Sequence, residues 1–292
     1  MAALDETPAP PNSLARVQAS LERGAAVIEI DVNALAEGDY VLGHEAELEA
    51  ETSGRGLALE TSPQAVRGLF IRHGGVRTGY PVALLSDVVR LFEEKGGKTV
   101  LQLDFKNAVP FTSDEPLLRL VDLIAPLGER VIVSSGADWQ LRRLRKLAGW
   151  LQLGFDPMWY ISWQPAGAAR DPRDYPKRLG AYGYYDDHLL ATGAYWPAST
   201  YLRDRFESLA SLVPDVSAFY MEHWLLAQSL RDGFNWAEAL HQRGILLDAW
   251  TMDASSPGAM ENLPLLREAG VDLFTTNTPL ALAGRLGLGA SR

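Results

Sequence analysis

Cysteine is absent from the 292-residue chain, which excludes disulfides, thiolate zinc sites and a cysteine nucleophile. Basic side chains are in deficit: 27 Lys and Arg stand against 37 Asp and Glu, for a net charge of −10. A surface of that sign does not track nucleic-acid phosphates, so no nucleic-acid partner is expected, although a local cationic pocket is compatible with it. No uninterrupted apolar run approaches the about 18 residues of a membrane span, so no stable membrane insertion is expected. Met1 to Pro11 is acidic and rich in proline and alanine, with neither a cationic nor an apolar leader region. The expectation is a soluble, cytoplasmic protein.

What the chain does have is an ordinary globular composition, 47% hydrophobic and 22% charged. The length suits two small domains or one α/β barrel of roughly 250 residues with additions. Within it, Val27-Ile28-Glu29-Ile30-Asp31-Val32 combines β-branched residues with two acids two positions apart. In an extended chain Glu29 and Asp31 leave the same face. Two acids on one face of an apolar strand are costly to bury unless something positive meets them, and the hexapeptide alone leaves a solvated face or structural salt bridges as open as a metal site.

Helical and extended patterns alternate around this stretch. Asn12 to Gly24 reads as a capped helix, and Ser86 to Lys95, Glu115 to Ala125, Trp139 to Leu147, Tyr201 to Leu212, Ala227 to Arg243, Ala259 to Ala269 and Leu280 to Leu286 read as further helices. A break in the Ala227 to Arg243 helix is expected at Gly233. Strands are expected to begin near residues 27, 99, 130, 150, 218, 245 and 271. This order indicates βαβ units around a parallel sheet, and one TIM-type (β/α) barrel spanning residues 1–292 is the expected architecture. Two insertions are expected, a small one at about 38–62 and an aromatic, proline-rich one at about 157–197. The main strands number seven where a closed barrel has eight, so the barrel is expected to be incomplete or atypical at its first strand. Several expected strands end in polar residues, as the catalytic edge of such barrels requires.

These segments resemble the glycerophosphodiester phosphodiesterase family, part of the wider group of phospholipase-C-like barrel phosphodiesterases. Pro11-Asn12-Ser13 is similar to the family's Glu-Asn-Thr segment, and the Glu29-Ile30-Asp31 strand to its Glu-x-Asp strand. Gly38 to Glu45 resembles the stretch ending in His-Asp, and Thr52-Ser53-Gly54-Arg55-Gly56 the Thr-x-Gly-x-Gly loop behind it. Asp104-Phe105-Lys106 lines up with Glu-x-Lys, Trp250 to Asp253 with Trp-Thr-Val-Asn, and Thr275 to Pro279 with Thr-Asp-x-Pro. Two departures stand out. The family's opening His-Arg-Gly motif has no counterpart before Asn12, and Asp104 replaces a Glu, with a reach one methylene shorter. Asp-x-Lys and the lack of His-Arg-Gly are also features of the more distant menorin-like branch.

The resemblance implies a metal-dependent hydrolase of glycerophosphodiesters or related small phosphodiesters. Glu29, Asp31 and Asp104 would hold one hard cation, for which oxygen ligands suit Mg²⁺ or Ca²⁺ better than zinc. The alternative is three acids paired with Lys106 and arginines. His44 would be the acid–base residue, against its reading as a surface histidine. Lys106 would hold a phosphate oxygen, or else form a structural ion pair. Trp250 would wall a glycerol-like group or belong to the core, and Arg55 is a candidate phosphate binder. The other histidines (His73, His188, His223 and His241) match no motif; His223, beside Glu222 at a strand end, is the one candidate to replace the missing partner. Two rival functions stay open: a barrel that binds a phosphorylated ligand without turning it over, and a lyase using Lys106 as a Schiff base.

Overall fold

The computed structural model describes residues 9–167 and 177–288. By its contacts the chain divides into two compact units, Met1–Leu153 and Gly154–Arg292.

In the first unit, α1 (Leu14–Glu22) is capped by the Ser13 hydroxyl, which accepts from the Arg16 N–H. It leads into β1 (Val27–Ala34), whose two faces differ sharply. Ile28, Ile30 and Val32 are buried apolar residues, while Glu29, Asp31 and Asn33 line the opposite face. After a tight return, β2 (Tyr40–Leu42) pairs antiparallel with the end of β1, Val32 opposite Leu42. The chain then makes an excursion: α2 (Leu48–Glu51), α3 (Pro63–Arg67), and a hairpin of β3 (Phe70–His73) and β4 (Val76–Pro81). This excursion has a hydrophobic cluster of its own, including Leu35, Val41, Leu48, Val66, Ile71 and Leu84. It therefore extends well past the 38–62 insertion expected from sequence.

Regular alternation resumes with α4 (Leu85–Lys95), β5 (Val100–Phe105), α5 (Glu115–Ile124), β6 (Val131–Ser135) and α6 (Asp138–Leu147). Strand order in this unit is β2-β1-β5-β6, with β1, β5 and β6 parallel. Among the described residues no strand precedes α1, and the N-terminal part of the expectation, residues 1–8, lies outside them.

The second unit opens on the end of β7 (Gln152–Phe155), where Gly154 and Phe155 pair with Ala218 and Phe219 of β10 (Ala218–Glu222). Between them lies the aromatic segment with its small ribbon of β8 (Ile161–Ser162) and β9 (Tyr185–Asp186), followed by α7 (Ala198–Leu212). Residues 168–176 of the expected 157–197 insertion lie outside the described residues. The rest of the segment is anchored by buried polar contacts: Arg205 and the Tyr201 hydroxyl both donate to Asp186, at 2.6 and 2.7 Å. Tyr182 stacks on Tyr201 with ring centroids 4.4 Å apart, and Tyr184 donates to Asp232 at 2.7 Å.

Next come α8 (His223–Arg231), α9 (Trp236–His241), β11 (Leu246–Trp250), α10 (Pro257–Glu268), β12 (Leu273–Phe274) and α11 (Pro279–Arg285). Strands β7, β10, β11 and β12 are neighbours in that order and parallel. The helix expected from Ala227 instead starts at His223, directly on the strand, and its expected break falls at Gly233, whose φ of 82° ends α8.

Candidate active site

The polar face of β1 meets the polar face of β5. In the parallel register Asp31 lies beside Asp104 and Glu29 beside Gln102, because Gln102, Asp104 and Lys106 alternate with the buried Leu101, Leu103 and Phe105. Ligand oxygens of Glu29, Asp31 and Asp104 all lie within 4.8 Å of one another. Three carboxylates this close repel strongly unless a cation joins them. Lys106 supplies one positive charge: its Nζ is 2.6 Å from Asp104 Oδ2 and 3.0 Å from Asp31 Oδ1.

Asp31 is the most enclosed of the three, with a side chain only 3% exposed. Its second oxygen accepts from Asn12 Nδ2 at 2.8 Å, and its own N–H donates to Asn12 Oδ1 at 3.1 Å. Asn12 makes this two-point clamp from a backbone with φ +55°, a conformation that asparagine tolerates better than most residues. Burial by itself would raise the Asp31 carboxyl. The Lys106 ammonium, the Asn12 amide and the charge of His44 outweigh it and hold the group below the usual carboxylate range. Lys106 responds in kind: burial would lower its amine, but Asp104 and Asp31 push it well above the ordinary lysine value.

His44 sits on a loop hung from β1. Gly43 N–H donates to the Asp31 carbonyl at 3.1 Å, and Asn33 Nδ2 donates to the carbonyls of Gly43 and Glu45. From the other side, Glu51 accepts from the His44 and Glu45 N–H groups at 2.6 and 3.2 Å. The imidazole is 52% exposed and its Nδ1 lies 3.0 Å from Glu45 Oε1. A neighbouring carboxylate orients such a ring for proton exchange through the other nitrogen. Asn12, Asn33 and Glu51 thus shape the site without having been singled out from sequence as doing so. Of the three, only Asn12 carried a signal, through its place in the Glu-Asn-Thr-like segment.

Arg55 is exposed, and its charge acts on Glu49 in the neighbouring α2. Trp250 belongs to the second unit, at the end of β11; it is half-buried, and its Nε1 is enclosed without a hydrogen-bond partner. His223 is a buried residue under α10. Arg231 donates to Asn262 Oδ1, which turns the Asn262 amide N–H towards His223 Nδ1 at 3.1 Å. Desolvation lowers the imidazole to about 4, so it stays neutral and helps to pack α8 against α10. Two further segments of the second unit show a reversal: the family's Asn and Asp appear as Asp253 and Asn277. They still form a pair, with Asn277 N–H and Nδ2 donating to Asp253 at 2.6 and 3.0 Å.

The family model for the glycerophosphoryl diester phosphodiesterase family matches residues 6–171. A glycerophosphodiester phosphodiesterase of Caldanaerobacter subterraneus is 26% identical over 154 residues, which cover 51% of this chain and 62% of that relative. Among solved structures, an Oleispira antarctica phosphodiesterase in complex with the product sn-glycerol-3-phosphate has a TM-score of 0.63 at 16% identity, covering 98% of this chain and 94% of the other. A glycerophosphodiester phosphodiesterase from Agrobacterium tumefaciens has a TM-score of 0.60 at 17% identity, over 95% and 94% of the two chains. At these identities the structural likeness establishes the fold, an α/β fold of TIM-barrel type.

Proposed function

Since the chain belongs to the glycerophosphoryl diester phosphodiesterase family, we propose that it hydrolyses small phosphodiesters of the glycerophosphodiester type. The observation that carries this reading is the convergence of Glu29, Asp31 and Asp104, whose oxygens lie within 4.8 Å of one another. An all-carboxylate donor set fits a hard divalent cation, Mg²⁺ or Ca²⁺. Bound there, the cation would neutralise phosphate charge and polarise an oxygen.

The chain's own residues divide the remaining work. Lys106 binds a non-bridging phosphate oxygen as a fixed positive charge, kept protonated by Asp104 and Asp31. The same protonation counts against the lyase alternative, since a Schiff base needs the free amine. His44 exchanges a proton with the oxygen that attacks or leaves phosphorus, its ring oriented by Glu45. Asn12 and Asn33 hold Asp31 and the His44 loop in place. The motif resemblance assigns Trp250 to an apolar wall for a glycerol-like group, and Arg55, on the glycine-rich loop, is the candidate phosphate binder. The chain acts as one barrel domain with insertions, a reading supported by solved structures that match it over 95% or more of its length.

A second reading, ligand binding without turnover, is favoured by one observation: the Lys106 ammonium already stands against the carboxylate cluster, 2.6 Å from Asp104 and 3.0 Å from Asp31. Hydrolysis of glycerophosphodiesters with and without Mg²⁺, Ca²⁺ and EDTA, in the wild type, Glu29→Ala and His44→Ala, separates the two. Loss of rate of at least about a hundredfold is expected for each variant and with EDTA. A rate indifferent to EDTA and to both substitutions would end the hydrolase reading.

A further inference from the structure

Asn33 stands on the same face of β1 as Glu29 and Asp31, nearer the carboxyl end of the strand. It is only 1% exposed. Its amide nitrogen is fully engaged: Nδ2 donates to the Gly43 carbonyl at 2.8 Å and to the Glu45 carbonyl at 3.3 Å. Two carbonyl partners fix which end of the carboxamide is nitrogen, so its oxygen turns away from the His44 loop. That oxygen, Oδ1, is buried and has no hydrogen-bond partner among the described residues. A buried amide oxygen without a donor is costly, and folded proteins keep few of them.

The donors nearest in the fold are committed elsewhere. The Lys106 ammonium sits between Asp104 and Asp31, and the Asn12 amide donates to Asp31. What continues along the face of β1 is carboxylate: Glu29 and Asp31, with Asp104 beside them, their oxygens within 4.8 Å of one another. Such a set calls for a cation, and an amide oxygen is an ordinary ligand for a hard one. Alternate residues of a strand are roughly 6.6 Å apart. Side chains leaning towards each other shorten that span, and two oxygens up to about 5 Å apart can share one Ca²⁺. Being neutral, the carboxamide adds an oxygen without adding a fourth negative charge to three that already repel.

We propose that Asn33 supplies a further oxygen to the cation of the acidic triad and, through the other end of the same amide, ties that cation to the His44 loop. This rests on the cation reading of Glu29, Asp31 and Asp104 given above. A positive charge at Oδ1 polarises the carboxamide and strengthens the donation of Nδ2 to the Gly43 and Glu45 carbonyls. Cation binding and the placing of His44 are then coupled through one side chain. Asn33 acts as a ligand and as a positioning residue, and no proton passes through it.

Calorimetric titration of the full chain with Ca²⁺ and with Mg²⁺ tests it, together with amide hydrogen exchange across residues 43–45. The wild type should bind, and saturating cation should slow exchange in that loop at least about threefold. Asn33→Ala should bind at least about tenfold more weakly and lose the slowing. Asn33→Asp keeps an oxygen and adds a charge but cannot donate to the two carbonyls. It should bind at least as tightly as the wild type, again without the slowing, and it decides the matter if thermal melts show Asn33→Ala to be unfolded. A folded Asn33→Ala with wild-type affinity, an Asn33→Asp weaker than the wild type, or a wild type that takes up neither ion would overturn the proposal. Hydrolysis is a separate readout: a wild type that binds cation as described but splits no glycerophosphodiester would end the hydrolase reading and leave this one standing.

Discussion

Each unit of the molecule buries an aspartate in a parallel strand, and the two fare oppositely. Asp31 in β1 has a cation 3.0 Å from one oxygen and an amide donor 2.8 Å from the other, and its carboxyl is held below the usual range. Asp248 in β11 has a single donor, the Thr275 hydroxyl at 3.0 Å on Oδ2, while Oδ1 is buried without a partner. Burial raises Asp248 to about 7. Depth is similar, with relative exposures of 2% and 3%, so the partners decide the charge. A buried carboxyl kept ionised beside a cation is equipped for a charged ligand. One that is half neutral near physiological pH is a cost carried by the fold.

The comparison breaks most violently if Asp31 loses its cation. Lys106→Met leaves Asp31 buried with the Asn12 clamp alone and Asp104 without its counter-ion, and should cost about 3–5 kcal/mol in cation-free urea titrations. Added Mg²⁺ or Ca²⁺ should then stabilise the variant more than the wild type, because the divalent ion no longer competes with the ammonium. A urea midpoint equal to wild type would show that Lys106 is not what separates the two aspartates.

Asp248→Asn removes the other side of the contrast. The folded protein keeps a proton on Asp248 that the unfolded chain releases near 3.8, so stability falls as pH rises from there to about 7. Asparagine abolishes that slope and should stabilise the protein above neutrality by up to roughly 3 kcal/mol, the amide retaining part of the burial cost. Denaturation midpoints measured across this range check it. A variant with the wild-type slope would mean that Asp248 titrates normally.

How far these sites could be read from the sequence depends on whether the determining contact is local. The alternation Ile28, Glu29, Ile30, Asp31, Val32 announces a two-faced strand, and Leu101 to Lys106 repeats it, so both acidic faces were legible. Their register was not, since the pairing of Asp31 with Asp104 is settled by strand contacts across more than seventy positions of chain. The β3–β4 hairpin was missed because its two short strands are largely exposed and lack the apolar alternation that marks a core strand. The aromatic segment between β7 and α7 could be seen as an insertion. Its anchoring was invisible, because Asp186 finds Tyr201 and Arg205 fifteen and nineteen residues away. His44 is a candidate only through its place in a motif, whereas Asn33 and Glu51, which hold its loop, show nothing locally to distinguish them from surface residues.

The smallest change that sharpens the contrast is Asn12→Gly. Asn12 holds φ +55°, which glycine adopts freely, so the substitution removes the amide with little backbone penalty. Two hydrogen bonds vanish: the donation to Asp31 Oδ2, and the acceptance of the Asp31 N–H, which is left buried. A loss of about 1–2 kcal/mol follows at neutral pH. The acid limb should respond as well. Because the folded-state value of Asp31 is depressed, its contribution is present above the unfolded value and is lost as pH falls through the folded one. Without the amide donor the folded value rises, and the acid-unfolding midpoint followed by circular dichroism should move to higher pH. If that midpoint stays put while the urea stability drops, the neighbouring positive charges keep Asp31 ionised without the amide, which contributes only to holding β1 against the start of α1.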